Sequence, residues 1–173
     1  MATLLTTKYA KTKPTPVDEL LRILQDPAPY EHQRFVVKGY ILSFSNSTVK
    51  DIVKKVSGKK VLNFNDKCND DGVTYIYHFI ANIRDGSVEN DHRSLNVYIL
   101  TNEEDQHLFD LWDILPSPKD TAQWKSLGKT DIQKFEQRLQ ALTNPEIEVK
   151  MVVELLITAS GKAFFKLYDT VFI

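Results

Sequence analysis

Three tyrosines and three lysines are the residues of this chain best suited to chemistry at a binding surface. Tyr75, Tyr77 and Tyr98 offer rings on which nucleobases can stack, and Lys54, Lys55 and Lys59 offer ammonium groups that can neutralise phosphate. Together they would make a groove for single-stranded nucleic acid, in which stacking contributes roughly 1–3 kcal/mol per base. The lysines Lys50, Lys54, Lys55, Lys59 and Lys60 can equally be the wet face of a short helix, or meet an acidic partner segment. Tyr40, Phe44, Tyr75, Tyr77, Phe79 and Tyr98 are the aromatics from which a base-stacking or a peptide-binding face would be drawn. Each also has the bulk that a barrel interior needs.

Catalysis has no such set of parts. The sequence contains no GxSxG, GxxxxGK, HExxH or GxGxxG motif, and no nucleophile, base and orienting group can be assembled from it. The run Glu103, Glu104 and Asp105 reads as dipole partners at a helix start. Asn65, Asn69, Asp70 and Asp71 lack the acidic alternation of a calcium loop and read as a solvated turn. Cys68 is the only cysteine, and His32, His78, His92 and His107 show no metal-ligand spacing. The expectation is a non-enzyme without cofactor, disulfide or metal, in a reducing compartment. A formal net charge of −1 denies the chain as a whole the basic excess of most nucleic-acid binders, which favours a peptide ligand over DNA. No apolar run approaches the roughly 18 residues of a membrane span, and the start lacks the apolar core of a signal peptide. A nuclear or cytoplasmic protein fits.

These side chains need a sheet to hold them. Ile147, Val149, Met151, Val153, Leu155 and Ile157 alternate with polar residues, and Ala163 to Ile173 follows after a turn containing Gly161, which reads as a closing hairpin. Deleting Val171 to Ile173 should therefore prevent soluble folding. Arg34 to Phe44 reads as the first strand, with Gly39 at a bend or bulge that lets it serve two sheets. Val73 to Arg84 and Leu95 to Leu100 read as an antiparallel pair; both faces of the former are largely apolar, so part of it should be covered twice. Val61 to Phe64 can be strand or loop. Helices are expected after Thr15 as N-cap with Pro16 at N1, over Val49 to Val56, along the stripe Leu108, Leu111, Trp112 and Leu115, and after a Thr130 to Gln133 capping box. A short β-like piece, Leu4 to Thr7, precedes them. The layout predicts a mainly β OB-fold: a five-stranded antiparallel barrel with an N-terminal helix and an enlarged helical insertion between the third and fourth strands. Residues 1–29 form the arm and packing helix, and 30–173 the OB-fold domain.

In this order the chain resembles the C-terminal OB-fold domain of the telomere end-binding protein alpha subunit, in the protection-of-telomeres family, and is closer to the ciliate form. The resemblance rests on Ala2-Thr-Leu-Leu-Thr-Thr with Thr15-Pro-Val-Asp-Glu-Leu-Leu, on Gln33-Arg-Phe-Val-Val-Lys-Gly-Tyr-Ile-Leu-Ser-Phe with Thr48-Val-Lys-Asp-Ile-Val-Lys-Lys-Val, on Tyr77-His-Phe-Ile-Ala-Asn-Ile-Arg-Asp-Gly-Ser with Leu95-Asn-Val-Tyr-Ile-Leu-Thr, and on Phe165-Lys-Leu-Tyr-Asp-Thr-Val-Phe-Ile. It implies a nuclear, telomeric domain that binds a beta-subunit-type partner protein, while telomeric single-stranded DNA is held mainly by other domains or subunits. By analogy the partner surface would comprise Tyr40, Leu42, Phe44, Ile52, Leu111 and Trp112. The zinc-bearing insertion of the animal proteins has no counterpart here. The chain would be either an excised C-terminal fragment or a free-standing paralogue. Two other readings are direct single-strand binding through the tyrosine and lysine set above, and an OB subunit of a replication-protein-A-like complex.

Overall fold

A computed structural model of the chain describes residue 9 and residues 11–67, 72–86, 94–101 and 114–172. The described residues hold seven strands: β1 (Arg34–Phe44), β2 (Val53–Ser57), β3 (Lys60–Asn63), β4 (Thr74–Arg84), β5 (Leu95–Thr101), β6 (Val149–Ile157) and β7 (Ala163–Phe172). The helices are α1 (Val17–Ile23), α2 (Val49–Ile52), α3 (Thr121–Lys125) and α4 (Lys129–Leu142), with a 3-10 turn at Ala28–Tyr30. Strand order is β1-β6-β7-β5-β4-β2-β3, and an additional β1–β4 pairing joins β1, β6, β7, β5 and β4 into a closed ring. That arrangement is consistent with an OB-like fold. It is not wholly antiparallel, because β5 and β7 run parallel where they meet at Val97↔Phe165 and Tyr98↔Lys166. The β2–β3 hairpin lies outside the ring, on the flank of β4.

Closure depends on β1 changing partners. Phe35 to Gly39 pair with β6, and from Tyr40 onward the strand pairs with β4, with a register shift between Ile41 and Ser43. Gly39 sits at the crossing. A Cβ there would lie 2.5 Å from the Arg84 carbonyl oxygen, so only a glycine lets the two backbones approach this closely.

The core fills the ring from alternate residues of each strand: Val37 and Ile41, Tyr77, Phe79 and Ile83, Val97 and Ile99, Met151 and Val153, Phe165 and Leu167. Phe135, Leu139 and Leu142 of α4 pack into the same core, with the Phe135 ring stacked on Tyr77 at 6.0 Å and 12°. Helix α3 carries Trp124, which stacks on Tyr75 at 4.5 Å and 10° while its indole N–H donates to the Ser117 carbonyl at 2.8 Å. The Asp120 carboxylate caps this helix by accepting from the Gln123 amide.

Several boundaries depart from the sequence reading. The helix expected over Val49 to Val56 ends at Ile52; Val53 onward is drawn into sheet by pairing with β4 and by a two-residue turn at Gly58 and Lys59, where Gly58 has φ 61°. Lys54 and Lys55 therefore stand on a strand, and the ambiguous second β-run is its hairpin partner, β3. Thr15 is not a side-chain cap: α1 begins at Val17, and the carboxylate that accepts from the Val17 amide, at 2.9 Å, belongs to the distant Asp85. Helix α4 starts one residue before Thr130, behind Gly128. The expected piece Leu4 to Thr7 and most of the helical stripe around Leu111 and Trp112 lie outside the described residues.

Candidate functional site

The outer surface of the ring carries two apolar regions. On the first, Val36 and Val152 are cross-strand partners with side chains that are buried yet form a cluster separate from the main core. Beside them the register slips so that Val152 opposes Asp169 and Val153 opposes Leu167, leaving Tyr168 as the extra residue of a bulge. Tyr9, from the segment preceding α1, covers this region. Its ring meets Tyr168 edge-on at 6.4 Å, and its hydroxyl accepts from the Arg34 guanidinium at 3.1 Å. Arg34 also lies 3.7 Å over the Tyr168 ring and 3.6 Å from Glu154. The Tyr9 hydrogen bond raises the Arg34 pKa above its ordinary value. Thr15 completes the seal by donating its amide to the Val36 carbonyl.

The second region is a groove of about 500 Å³ over β4, β5 and the start of β7. Its lining includes two cross-strand pairs, Ile80 with Tyr98 and His78 with Leu100, together with Phe164, whose ring meets Tyr98 edge-on at 5.2 Å. Ser45 and Asn46 after β1 border one side, and Thr158 and Lys162 of the β6–β7 turn the other. Geometry explains the opening. β5 pairs with β7 only as far as Tyr98, so the strands part beside Leu100, and opposite them the Ser45 hydroxyl and amide bond the backbone of Ile80 as β1 ends. The turn is itself held open in a fixed shape by Gly161 at φ 86° and by the Thr158 hydroxyl, which accepts from the Lys162 amide at 3.1 Å. Apolar and aromatic side chains with a few polar groups at the rim are the composition of a ligand groove. Lys162 is the one lysine among the described residues that line it.

A larger groove, about 800 Å³, separates the end of β1 from α4. Gln133, Glu136, Gln137, Gln140, Ser47 and Thr48 dominate its wall. Filling it would release little water from apolar surface, so burial offers it less binding energy than the smaller groove.

The residues expected from sequence are dispersed. Tyr98 lines the apolar groove, but Tyr75 is 3% and Tyr77 0% exposed, with rings already stacked on Trp124 and Phe135, so neither can take a nucleobase. Lys54 donates to the Asn63 side-chain oxygen and Lys55 to the Asp66 carbonyl, away from Tyr98, on the hairpin that flanks β4; Lys59 is exposed in its turn. The tyrosine and lysine set therefore does not form one groove. Of the partner set, Tyr40 and Leu42 are exposed and Phe44 is half-buried against Phe79. Leu42 and Phe44 open onto the polar groove, whereas Tyr40 faces Pro14, Pro16 and Glu148. Ile52 is buried in the core and cannot meet a partner. Leu111 and Trp112 lie outside the described residues. Among the described residues no group of three His, Cys, Asp or Glu side chains is placed to hold a metal ion.

Comparison with solved structures finds the same fold in a chain of the crystal structure of fission yeast Pot1 and Tpz1. It matches 95% of this chain and 94% of that one, with a TM-score of 0.53 and 14% sequence identity. The likeness is one of fold. No protein-family model matches the chain, and no curated protein matches it.

Proposed function

We propose that the chain is a non-enzymatic interaction domain of a telomere-end complex, whose apolar groove takes a segment of a beta-subunit-type partner protein. One observation carries the reading: the ring's two outer apolar regions have the same chemistry, and one is sealed by an aromatic segment of the chain itself, while nothing among the described residues seals the other. Tyr9 on Val36, Val152 and Tyr168 is a working example of what suits Ile80, Tyr98, Leu100 and Phe164: a side chain large enough to exclude water. The fold likeness to the Pot1–Tpz1 structure and the resemblance to the protection-of-telomeres family supply the setting, a nuclear complex at chromosome ends. In that setting single-stranded DNA is gripped by other domains or subunits.

Direct DNA binding is the second reading, and Tyr98 beside Lys162 favours it. One lysine among the described lining residues neutralises little phosphate, however, and Ile80, Leu100 and Phe164 favour an apolar side chain over a phosphate chain. The test is selection of a displayed random-peptide library against the whole chain, repeated with Ile80→Glu. Enrichment of peptides bearing Trp, Phe, Tyr or Leu, lost with Ile80→Glu, supports the proposal. Equal enrichment on both proteins refutes the groove as the site.

A further inference from the structure

The β2–β3 hairpin concentrates charge that the rest of the molecule lacks. Between residues 50 and 67 six lysines, Lys50, Lys54, Lys55, Lys59, Lys60 and Lys67, face two aspartates, in a chain of net charge −1. Neither aspartate's carboxylate is paired with one of these lysines, although the Asp66 backbone carbonyl accepts from Lys55 at 3.0 Å. Asp51 accepts from the Thr48 hydroxyl, and Asp66 accepts from the Asn63 amide. None of the six lysines forms an ion pair with a described carboxylate. Lys54 is held by the Asn63 side chain at 3.1 Å, which carries its ammonium across β2 to the outermost strand.

Among the described residues that outermost strand, β3, is the end strand of the sheet, with no strand paired on its far side. Ser57 and Lys60 flank the two-residue turn and form its hydrogen-bonded pair, so at the next pair, Val56 and Val61, the N–H and C=O of Val61 point away from β2 toward the edge. Asn63 points the same way, but its amide donates to the Asp66 carboxylate and its carbonyl accepts from the Asp66 amide. Val61 is also 58% exposed, the most exposed large apolar residue described, and is paired with the β-branched Val56 on the solvent face. Lysines commonly guard edge strands against pairing, but an edge with guarding as its sole role has no need of an apolar pair on its wet face.

We propose that the edge of β3 takes an acidic extended protein segment as an added strand. Backbone groups of Val61 supply register, the Val56–Val61 pair meets an apolar side chain, Lys54 meets a carboxylate two residues along on that same face, at the Asn63 position, and Lys60 meets a carboxylate on the opposite face from the adjoining position on the other side. Nucleic acid is the poorer fit. Phe64, the residue after β3, is half-buried and packed edge-on against Tyr75 at 6.2 Å and Trp124 at 6.0 Å, so its ring is already engaged with the core, and a phosphate chain gains nothing from Val61. This site is separate from the apolar groove and stands whether or not the groove is used.

The test selects a displayed random-peptide library against the whole chain, against a Lys54→Glu, Lys60→Glu double variant, against Val61→Pro and against Ile80→Glu. The N–H of Val61 faces outward, so proline there removes the edge donor without breaking the hairpin; amide dispersion in NMR spectra checks each fold. Expected are peptides in which a Val, Ile or Thr has an Asp or Glu adjacent on one side and another two residues away on the other, whose capture falls about tenfold or more with both hairpin changes and persists with Ile80→Glu. Absence of acidic peptides overturns the proposal. So does capture indifferent to Val61→Pro, which would mean attraction by charge without strand addition. Saturable binding of labelled oligothymidylate, lost in the lysine double variant, would assign the hairpin to nucleic acid instead.

Discussion

The two apolar regions outside the ring differ in one respect, the presence of a lid. Over β1, β6 and β7 the lid is Tyr9, tied down by Arg34 and Tyr168 and continued by the Thr15 amide on Val36. Over β4 and β5 the described residues supply none, and Tyr98 and Phe164 line an open groove. The difference teaches that exposure here is not a matter of residue type. A valine pair is buried on one face because the chain returns over it, and an isoleucine–tyrosine pair stays accessible on the other. Covered apolar surface stabilises the fold, while the same surface left open is available to a partner.

Perturbing the two faces and the interior between them should separate these roles. The largest loss is expected inside the ring: Tyr77→Ala leaves a cavity beneath Phe135 and should cost about 3–5 kcal/mol in chemical denaturation, enough to unfold a marginal domain. Tyr9→Ala, on the sealed face, should cost about 1.5–3 kcal/mol by the same measurement, since it exposes Val36 and Val152. Gly39→Ala forces apart β1 and Arg84 and should cost about 1–3 kcal/mol, read as a drop in melting temperature. Asp85→Ala removes the acceptor for the Val17 amide and should cost about 0.5–2 kcal/mol, with amide exchange accelerated first in α1. Tyr98→Ala, on the open face, should cost only about 1 kcal/mol of stability, the worth of its edge-on contact with Phe164. If Tyr98→Ala proved as costly as Tyr9→Ala, the two faces would not differ as described.

Much of the ring was legible because alternation survives in β1, β4, β5, β6 and β7, each long enough to show a period of two. The near-continuous apolarity of β4 predicts a strand partly covered on both faces, but among the described residues nothing covers its outer face, where Ile80 and His78 line the open groove. What the sequence hid were effects of distant pairing. Val53 to Ser57 carries a helical stripe of valines but lies against β4, and tertiary pairing overrides a four-residue local signal. The parallel meeting of β5 with β7 has no local signature at all. The tyrosines misled for a related reason: Tyr75 and Tyr77 alternate in register with Phe79 and so face inward, whereas Tyr98 faces outward between the buried Val97 and Ile99. Phe164 and Lys162 went unread as site residues because only the fold brings the β6–β7 turn beside Tyr98. The lid escaped notice because one tyrosine in a polar arm carries no periodicity.

The most direct measurement titrates the protein, and its Ile80→Glu variant, with two fluorescent probes at low and at physiological salt: a peptide selected on the groove and a G-rich single-stranded telomeric DNA. The account predicts saturable peptide binding that is nearly indifferent to salt and lost with Ile80→Glu, and no saturation by the DNA. Tight DNA binding that weakens steeply with salt and disappears with Ile80→Glu, while the peptide fails to bind, would contradict it and make the groove a grip for nucleic acid.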